Sequence, residues 1–334
     1  MKKRKILIAL LLVSAAIYLA GGRPDSPVFN LSMPQVPQEA GELETFISEN
    51  EAKHQLKKDN EARIVWLNDS LKQKTEYAVV YLHGFSASQE EGNPVHRNFA
   101  KQFGCNLYLA RLADHGVDTT DALLYFTADR LWETAKQALA IGKQLGNKVI
   151  LLSTSTGGTV AIKLAAEYPD DVHALINLSP NIRINNPAAF LLNDPWGLQI
   201  ARVVMGGKYN KTGISEESQR WQYWNGLYRL EATIQLQELL EASMVKETFE
   251  KITQPSLTLY YFKNEEEQDP QVKVSAMLKM NEQLSTPDSL KFAIAIPTAG
   301  AHVLGSPMAS KDVPAVYAEI VKFATQTLKL QSQF

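Results

Sequence analysis

Continuous apolar segments alternate with amphipathic segments over most of the 334-residue chain. Residues 78–82 and 149–152 are unbroken apolar runs of strand length, a pattern typical of central strands whose two faces are both covered by helices. The alternation predicts strands at residues 63–67, 78–82, 106–110, 148–152, 174–178, 256–262 and 291–296, and helices at residues 94–102, 127–145, 156–168, 270–284 and 312–328. The predicted fold class is α/β, with a mostly parallel central sheet and helices on both of its faces.

Residues 182–251 interrupt this alternation, because they show no convincing strand pattern but contain Trp196, Trp221 and Trp224. We expect this insertion to form a helical cap over the C-terminal edge of the sheet, with most of its aromatic residues packing the cap itself. The expected organisation is an N-terminal segment at residues 1–22, a tether and leading helix at 23–60, a core at 61–181 and 252–330, and the cap at 182–251.

The N-terminal segment combines four basic residues at positions 2–5 with an uncharged apolar run at positions 6–20. This pattern is typical of a cleavable signal peptide or of an uncleaved signal anchor. The run is short for a membrane span, which needs about 17–25 residues, while Ala20 and Gly22 are small enough to border a cleavage site. Either alternative predicts export, with the chain anchored to the membrane or released as a secreted or periplasmic protein.

Charge and cysteine content narrow the function classes. The 34 basic and 36 acidic residues nearly balance, and no basic stripe indicates a nucleic-acid partner. Cys105 is the single cysteine, so an intrachain disulfide is impossible and a cysteine-based metal site is not expected. The sequence implies neither a metal nor an organic cofactor, and it leaves the oligomeric state open.

Residues 149–161 predict a buried strand, a tight turn with Ser155 at its apex and a helix rich in small residues. Such a turn lifts the apical side chain clear of the sheet and places the next amide, that of Thr156, at a helix N-terminus, where it can stabilise an oxyanion. Ser153 stands where a glycine is usual in this motif. The alternative is an ordinary turn in which serine and threonine cap the helix.

A serine nucleophile needs a base, and the base needs a group that orients it. The loop after the strand at 256–262 carries Glu265, Glu266, Glu267 and Asp269, and Asp269 is favoured because Asp-Pro is a natural turn and helix start. The loop after the strand at 291–296 carries His302. In a parallel sheet these loops open at the same edge as Ser155, although a solvated acidic loop is the simpler interpretation of the carboxylates.

The loop after the strand at 78–82 provides a candidate for the second oxyanion donor. Gly84 permits a turn that directs the Phe85 amide at the site. His83 precedes the glycine, and we expect it to brace the loop rather than to act as the base.

Taken in order, these motifs resemble the α/β-hydrolases of the carboxylesterase and monoacylglycerol-lipase-like kind. The resemblance covers roughly residues 63–328 and is carried by residues 83–85, 114–116, 153–158, 269–272 and 300–302. The family usually has glycine at the positions of Asp114 and Ser153. The resemblance implies the α/β-hydrolase fold, with Ser155 as nucleophile, His302 as base and Asp269 as its orienting group. It also implies an oxyanion hole formed by the amides of Phe85 and Thr156.

The function expected from this resemblance is hydrolysis of a carboxylic ester, such as a short acyl ester or a monoglyceride, through an acyl-enzyme. An acyltransferase or a peptidase could use the same triad. A catalytically silent binding protein is the alternative from another class, but such a protein is expected to have lost a member of the triad. The sequence retains all three.

Overall fold

The computed structural model describes residues 2–333. Its strands are β1 (Arg63–Val65), β2 (Thr75–Leu82), β3 (Asn106–Leu109), β4 (Gly146–Thr154), β5 (Val172–Leu178), β6 (Tyr209–Lys211), β7 (Leu227–Arg229), β8 (Ser256–Tyr260) and β9 (Lys291–Ala295). Its α-helices are α1 (Lys2–Leu19), α2 (Ala40–Glu51), α3 (Val95–Gln102), α4 (Ala128–Leu145), α5 (Thr156–Glu167), α6 (Gly197–Val204), α7 (Gln219–Tyr223), α8 (Leu230–Ser243), α9 (Lys246–Phe249), α10 (Val274–Gln283) and α11 (Val313–Gln326).

Seven strands form the central sheet in the order β1-β3-β2-β4-β5-β8-β9. Every neighbouring pair is parallel except β1 and β3, which are antiparallel. The predicted fold class, a mostly parallel sheet with helices on both faces, is therefore confirmed. The strand order places β4 at the centre, so the residue that follows β4 lies in the middle of the carboxyl edge of the sheet.

The core consists of two layers, one on each face of the sheet. Successive residues of a strand point to opposite faces: Leu151 belongs to the layer that contains Trp132 of α4, whereas Ile150 and Leu152 belong to the layer that contains Phe99 of α3. Burial on both faces explains why β2 and β4 are continuous apolar runs.

Residues 182–251 contain helices α6 to α9 and also a small antiparallel sheet formed by β6 and β7. The expectation that this insertion lacks strands is therefore wrong. Each strand has three residues, and residues 209–211 are mainly polar, so no apolar alternation marks them. The pair is fixed by the core instead, because Arg229 of β7 pairs with Asp121 at 2.8 Å.

The chain before the core includes helix α1 and a segment, residues 28–36, that packs on the core. Within residues 2–333, no helix has both the length and the apolar character to cross a membrane. The transmembrane helix considered for α1 is thus not supported, because its first residues are basic and shorten its apolar stretch. Residues 28–36, expected to be part of a tether, lie against the core as an N-terminal strap: the indole of Trp132 donates to Asn30 O at 2.7 Å.

Helix α2, Ala40–Glu51, lies within residues 23–60, where the tether and leading helix are expected. Its buried residues are Leu43 and Ile47, which join the core layer on the α4 side of the sheet. Glu51, the last residue of α2, binds the guanidinium of Arg111 with both carboxylate oxygens, at 2.6 and 2.9 Å. The helix therefore docks on the core.

Candidate active site

Ser155 lies between the end of β4 and the start of α5 in a backbone conformation that is rare for residues with a side chain. Its φ is 53° and its ψ is −118°, outside the ordinary helical and extended regions. Two contacts hold it there: its amide donates to Leu178 O at 3.0 Å and its carbonyl accepts from Asn181 N at 2.9 Å. The surrounding structure therefore imposes the strain, as expected of a strand-to-helix turn that exposes a nucleophile.

The elbow accommodates serine at position 153 by giving its hydroxyl a partner. Ser153 is fully buried, and its Oγ donates to Asn177 Oδ1 at 2.8 Å. This bond joins β4 to β5 directly below the turn. The close approach in the turn is made at Gly157 instead, where an added Cβ would lie 2.0 Å from Leu82 O. The departure from the usual glycine thus leaves the turn intact.

Asp269 and His302 are hydrogen-bonded, with 2.7 Å between Asp269 Oδ2 and His302 Nδ1. The other carboxylate oxygen, Oδ1, accepts from the amides of Gln271 and Val272 at 2.9 and 3.0 Å. Burial alone raises the pKa of Asp269, but the charge and hydrogen bond of His302, together with the two amides, outweigh burial and hold this pKa below its usual value. The carboxylate is therefore ionised and fixed in orientation.

The remaining carboxylates of this loop lie elsewhere. Glu265, Glu266 and Glu267 are exposed, and Glu267 pairs with Lys263 at 2.6 Å. Of the four acidic residues in this loop, Asp269 is the one hydrogen-bonded to His302. This is the arrangement favoured from the Asp-Pro turn.

His302 is positioned to exchange protons through its second ring nitrogen. Because Nδ1 faces the Asp269 carboxylate, Nδ1 carries the proton and Nε2 has a free lone pair in the neutral ring. Burial lowers the pKa of His302, but the carboxylates of Asp269 and Glu91 raise it more, so that it lies above its ordinary value of 6.5. Within residues 2–333, no hydrogen bond joins Ser155 Oγ to this ring; such bonds are often long before substrate binds.

The loop after β2 is braced by His83, which is fully buried. Its Nε2 accepts from Leu112 N at 3.0 Å, and its Nδ1 therefore donates to Gly84 O at 2.9 Å. Burial and the neighbouring His115 hold the pKa of His83 well below its usual value, so the ring stays neutral. His83 is engaged at both nitrogens and orients the loop.

The amides of Phe85 and Thr156 have no hydrogen-bond acceptor among the described residues. Thr156 is the first residue of α5, where the helix dipole favours negative charge. Unengaged amides in this position are what an oxyanion hole requires. The Phe85 ring anchors its end of the loop by edge-to-face packing on His115, Phe126 and Tyr228.

Glu91 is a residue of this site that the sequence did not single out. It lies in a 3-10 turn, Gln89–Gly92, with 2% of its surface exposed. Its Oε2 accepts from Gly84 N at 2.5 Å, and its side chain is also hydrogen-bonded to Trp224. Burial raises the pKa of Glu91 to about 7, although these hydrogen bonds and the charges of His302 and Arg220 lower it. In sequence it is one of two adjacent glutamates, so no local pattern marks it.

Residues of the insertion 182–251 approach this loop directly. Asn225 N donates to Ser86 O at 2.7 Å, and Trp224 packs with Ala87 and Val303, the residue after His302. Trp224 therefore contacts core loops and does not merely fill the insertion. Trp196, in contrast, is partly exposed and its indole donates to Ile17 O of α1 at 2.9 Å.

In the described residues 2–333, no group of three or more His, Cys, Asp or Glu side chains is placed to hold a metal ion.

Comparison with known proteins agrees with this architecture. Residues 73–223 match the family model described as serine aminopeptidase, S33. No curated protein sequence matches the chain.

Several solved structures share the fold. One, from work on the metagenome-derived lipolytic enzymes LipS and LipT, covers 81% of this chain and 100% of its own with a TM-score of 0.64 at 15% identity. The monoacylglycerol lipase of Paleococcus ferrophilus covers 79% of this chain and 98% of its own with a TM-score of 0.57 at 15% identity. Est1E from Butyrivibrio proteoclasticus with bound ferulic acid covers 80% and 95% with a TM-score of 0.53 at 18% identity. The α/β-hydrolase fold expected from the resemblance is thereby confirmed.

Proposed function

We propose that this chain, an α/β-hydrolase by its fold, is a serine hydrolase that cleaves carboxylic esters. The observation that carries the proposal is the Asp269–His302 hydrogen bond of 2.7 Å, in which the pKa of the histidine is raised, at the sheet edge that holds a strained serine. Ser155 is the nucleophile, His302 the general base and Asp269 the group that orients it. The amides of Phe85 and Thr156 form the oxyanion hole.

The reaction divides into two steps. In acylation, His302 Nε2 takes the proton of Ser155 as its Oγ attacks the ester carbonyl, and then gives that proton to the leaving alcohol. In deacylation, the same nitrogen takes a proton from the water that attacks the acyl-enzyme, and then returns it to Ser155 Oγ as the bond to the serine breaks and the carboxylic acid is released. Asp269 stabilises the imidazolium formed in both steps, and the two amides stabilise the oxyanion.

The proposed substrate class is supported by the aromatic side chains of the loops around the serine. The Phe85 ring lies in an aromatic cluster with Phe126 and Tyr228, and Trp224 is buried against Val303 next to His302. Such walls favour an uncharged acyl group, as in a short acyl ester or a monoglyceride. Of the structurally similar proteins, one comes from work on lipolytic enzymes and one is described as a monoacylglycerol lipase, which supports this class; Est1E is described with bound ferulic acid.

Intact-mass measurement after treatment with a fluorophosphonate tests the nucleophile. We expect a single adduct on the wild-type chain and none on Ser155→Ala, whose circular dichroism remains that of the wild type. Ser153→Ala is the matched control, since Ser153 lies two residues away and binds Asn177; it should still form the adduct. Hydrolysis of p-nitrophenyl esters should likewise be retained in the wild type and Ser153→Ala and lost in Ser155→Ala. An adduct that persists in Ser155→Ala would contradict the proposal.

A peptidase is the second candidate, because the matching family model is described as serine aminopeptidase. The same triad cleaves amides when the leaving nitrogen is protonated by the imidazolium. Aminoacyl naphthylamides and p-nitrophenyl esters, assayed side by side on one preparation, separate the two. The ester proposal expects esters to be preferred by kcat/KM; preference for the naphthylamides would establish the peptidase.

We further propose that the chain is exported through its N-terminal segment and remains associated with the membrane surface. The apolar residues of α1 are exposed, as are Ile200, Val203 and Val204 of α6, and Trp196 is hydrogen-bonded to Ile17 O and Gly22 O. Fusion of residues 1–24 to a periplasmic reporter tests export. Mass spectrometry of the mature chain tests cleavage near Ala20, which would leave a secreted or periplasmic protein.

A further inference from the structure

Glu91 places a second buried carboxylate at the candidate site, in addition to Asp269. Asp269 approaches His302 from the loop after β8, whereas Glu91 comes from the 3-10 turn that follows the loop after β2. A buried carboxylate beside an oxyanion hole is costly, because it is desolvated and because it repels developing negative charge. Its presence there calls for a role in the chemistry.

The first part of that role concerns the peptide between Gly84 and Phe85, whose N–H is the proposed oxyanion donor. The carboxylate of Glu91 accepts from Gly84 N at 2.5 Å, while Gly84 O accepts from His83 Nδ1 at 2.9 Å. Both hydrogen-bonding groups of Gly84 are therefore fixed. His83 orients the Phe85 amide, because Gly84 O and Phe85 N–H belong to one planar peptide unit, and Glu91 fixes the preceding unit, so that both peptide units meeting at Gly84 are held.

The space around Gly84 shows how tight this arrangement is. A Cβ added to Gly84 would lie 2.9 Å from both carboxylate oxygens of Glu91 and 3.0 Å from Ser155 Cβ. The backbone of Gly84 is thus clamped between the carboxylate and the nucleophile. A side chain at position 84 would displace one of them.

The second part of the role is electrostatic. The groups that interact with Glu91 by charge are His302, Arg220 of α7 and Tyr81 of β2, and Trp224 is hydrogen-bonded to it. The charge of Glu91 acts in the same direction as that of Asp269, since both raise the pKa of His302. When His302 takes the proton of Ser155, the resulting positive charge is therefore stabilised by Asp269 and by the ionised form of Glu91.

We propose that Glu91 is a positioning residue of the reaction: it clamps the oxyanion loop through Gly84 N–H and, in its ionised form, supplies a second negative charge that stabilises the imidazolium of His302. The inference rests on the proposed function, because the imidazolium forms during attack by Ser155. The two effects are separable, since one depends on the length of the side chain and the other on its charge.

Three full-length variants test the proposal. Glu91→Gln keeps an acceptor oxygen but removes the charge, and Glu91→Asp keeps the charge but shortens the side chain. Glu90→Gln is the matched control, since Glu90 is the adjacent residue and its Oε1 accepts from Asn93. Each variant is assayed for kcat and KM on a p-nitrophenyl ester across pH. The imidazole of His302 is titrated by NMR in each folded protein.

In Glu91→Gln, we expect the acid limb of the kcat/KM profile and the His302 pKa to move down together, because one of the two charges that raise this pKa is removed. In Glu91→Asp, we expect both to stay at the wild-type position while kcat falls about tenfold at unchanged KM, because the clamp on Gly84 is weakened. Glu90→Gln should match the wild type in all readouts. A structural role alone would lower the amount of folded enzyme without moving the acid limb.

Wild-type profiles and wild-type kcat in both Glu91 variants would overturn the inference. If the wild-type chain proves unreactive towards esters and fluorophosphonate, the proposed function has failed. The NMR titration of His302 still shows whether Glu91 raises the pKa of this histidine. An unchanged His302 pKa in Glu91→Gln then overturns the electrostatic role. Should Glu91→Gln fail to fold, Glu91→Asp decides, because full kcat in that variant overturns the clamp.

Discussion

The strained backbone of Ser155 is maintained by hydrogen bonds at both ends of the residue. A conformation of this kind costs about 1–3 kcal/mol and persists only where the surrounding structure enforces it. The bonds to Leu178 O and from Asn181 N provide that enforcement; Leu178 is the last residue of β5, the neighbour of β4, and Asn181 follows shortly after it. The serine is therefore held in place by the adjacent strand connection as well as by its own helix.

Replacement of Asp269 by asparagine tests the orienting group. The amide of asparagine can present its NH2 group to Nδ1 of His302 and stabilise the wrong tautomer, so kcat should fall by about a thousandfold or more. Glu267→Gln, in the same loop but paired with exposed Lys263, should retain activity within about twofold. Stopped-flow ester hydrolysis measures both, with thermal melts to confirm folding. Equal activity in the two variants would rule out Asp269 as the orienting group.

The pH dependence of the reaction follows from the protonation of His302. The base is active when neutral, and its pKa is raised above 6.5 by Asp269 and Glu91 despite burial. The kcat/KM of the wild-type chain should therefore rise with pH through a midpoint above 6.5. The midpoint belongs to the free enzyme, so two esters with different leaving groups should share it. A midpoint at or below 6.5 would show that another group controls the reaction.

At the scale of the elements, the sequence predicts the central strands of the main sheet because their apolar runs are dictated by burial on both faces. It also predicts the positions of Ser155, Asp269 and His302 along the chain, because each follows a predicted strand. It does not reveal β6 and β7, whose pairing depends on contacts with distant residues such as Asp121. Glu91 is missed for the same reason, since its partners Gly84, Trp224 and His302 come together only in the folded chain.

The packing of α5 on the end of β2 yields a prediction about stability. In Gly157→Ala, the new Cβ would lie 2.0 Å from Leu82 O and 2.7 Å from His83 O, so helix or strand must shift. Such overpacking costs about 1–3 kcal/mol, and the shift should also disturb the oxyanion loop that starts at His83. Urea unfolding and ester turnover measure the two effects.

Gly41→Ala is the matched control for this substitution. Gly41 is a helical glycine in α2, and a Cβ added there would have no atom within 4 Å. Its replacement should leave activity unchanged and raise the free energy of unfolding slightly, since alanine is the better helix former by up to about 1 kcal/mol. If both variants unfold at the same urea concentration, close packing at Gly157 does not limit the fold.

At the scale of the whole molecule, the N-terminal strap, residues 28–36, covers a face of the core that would otherwise be exposed. Phe29, Met33 and Val36 pack on the core layer that contains Trp132, and Lys163 lies over the Phe29 ring. Lys136, whose side chain is fully buried, donates to Ser32 O at 2.8 Å. The strap is therefore part of the folded unit, although its composition resembles that of a linker.

Two truncated chains separate the strap from α1. A chain beginning at Arg23 loses α1 and its hydrogen bonds to Trp196, whereas one beginning at Ala40 also loses the strap. The first should unfold at the same urea concentration as the full chain and keep its ester turnover. The second should be less stable, because the bonds of Trp132, Lys136 and Tyr168 to strap carbonyls contribute about 1 kcal/mol each.

The second truncation also removes Ser32 O, one of the two partners of the Lys136 ammonium, and exposes the apolar face around it. Glu133, at 2.8 Å, then remains as its partner. Lys136→Met in the full chain is the control for that charge, since it removes the ammonium but keeps the strap and a side chain of similar length. It should lose about 1 kcal/mol, the contribution of one hydrogen bond, and so remain more stable than the chain beginning at Ala40. Equal stability of the Arg23 and Ala40 chains would mean that the strap contributes nothing, and that residues 23–39 serve as a tether despite the contacts they make.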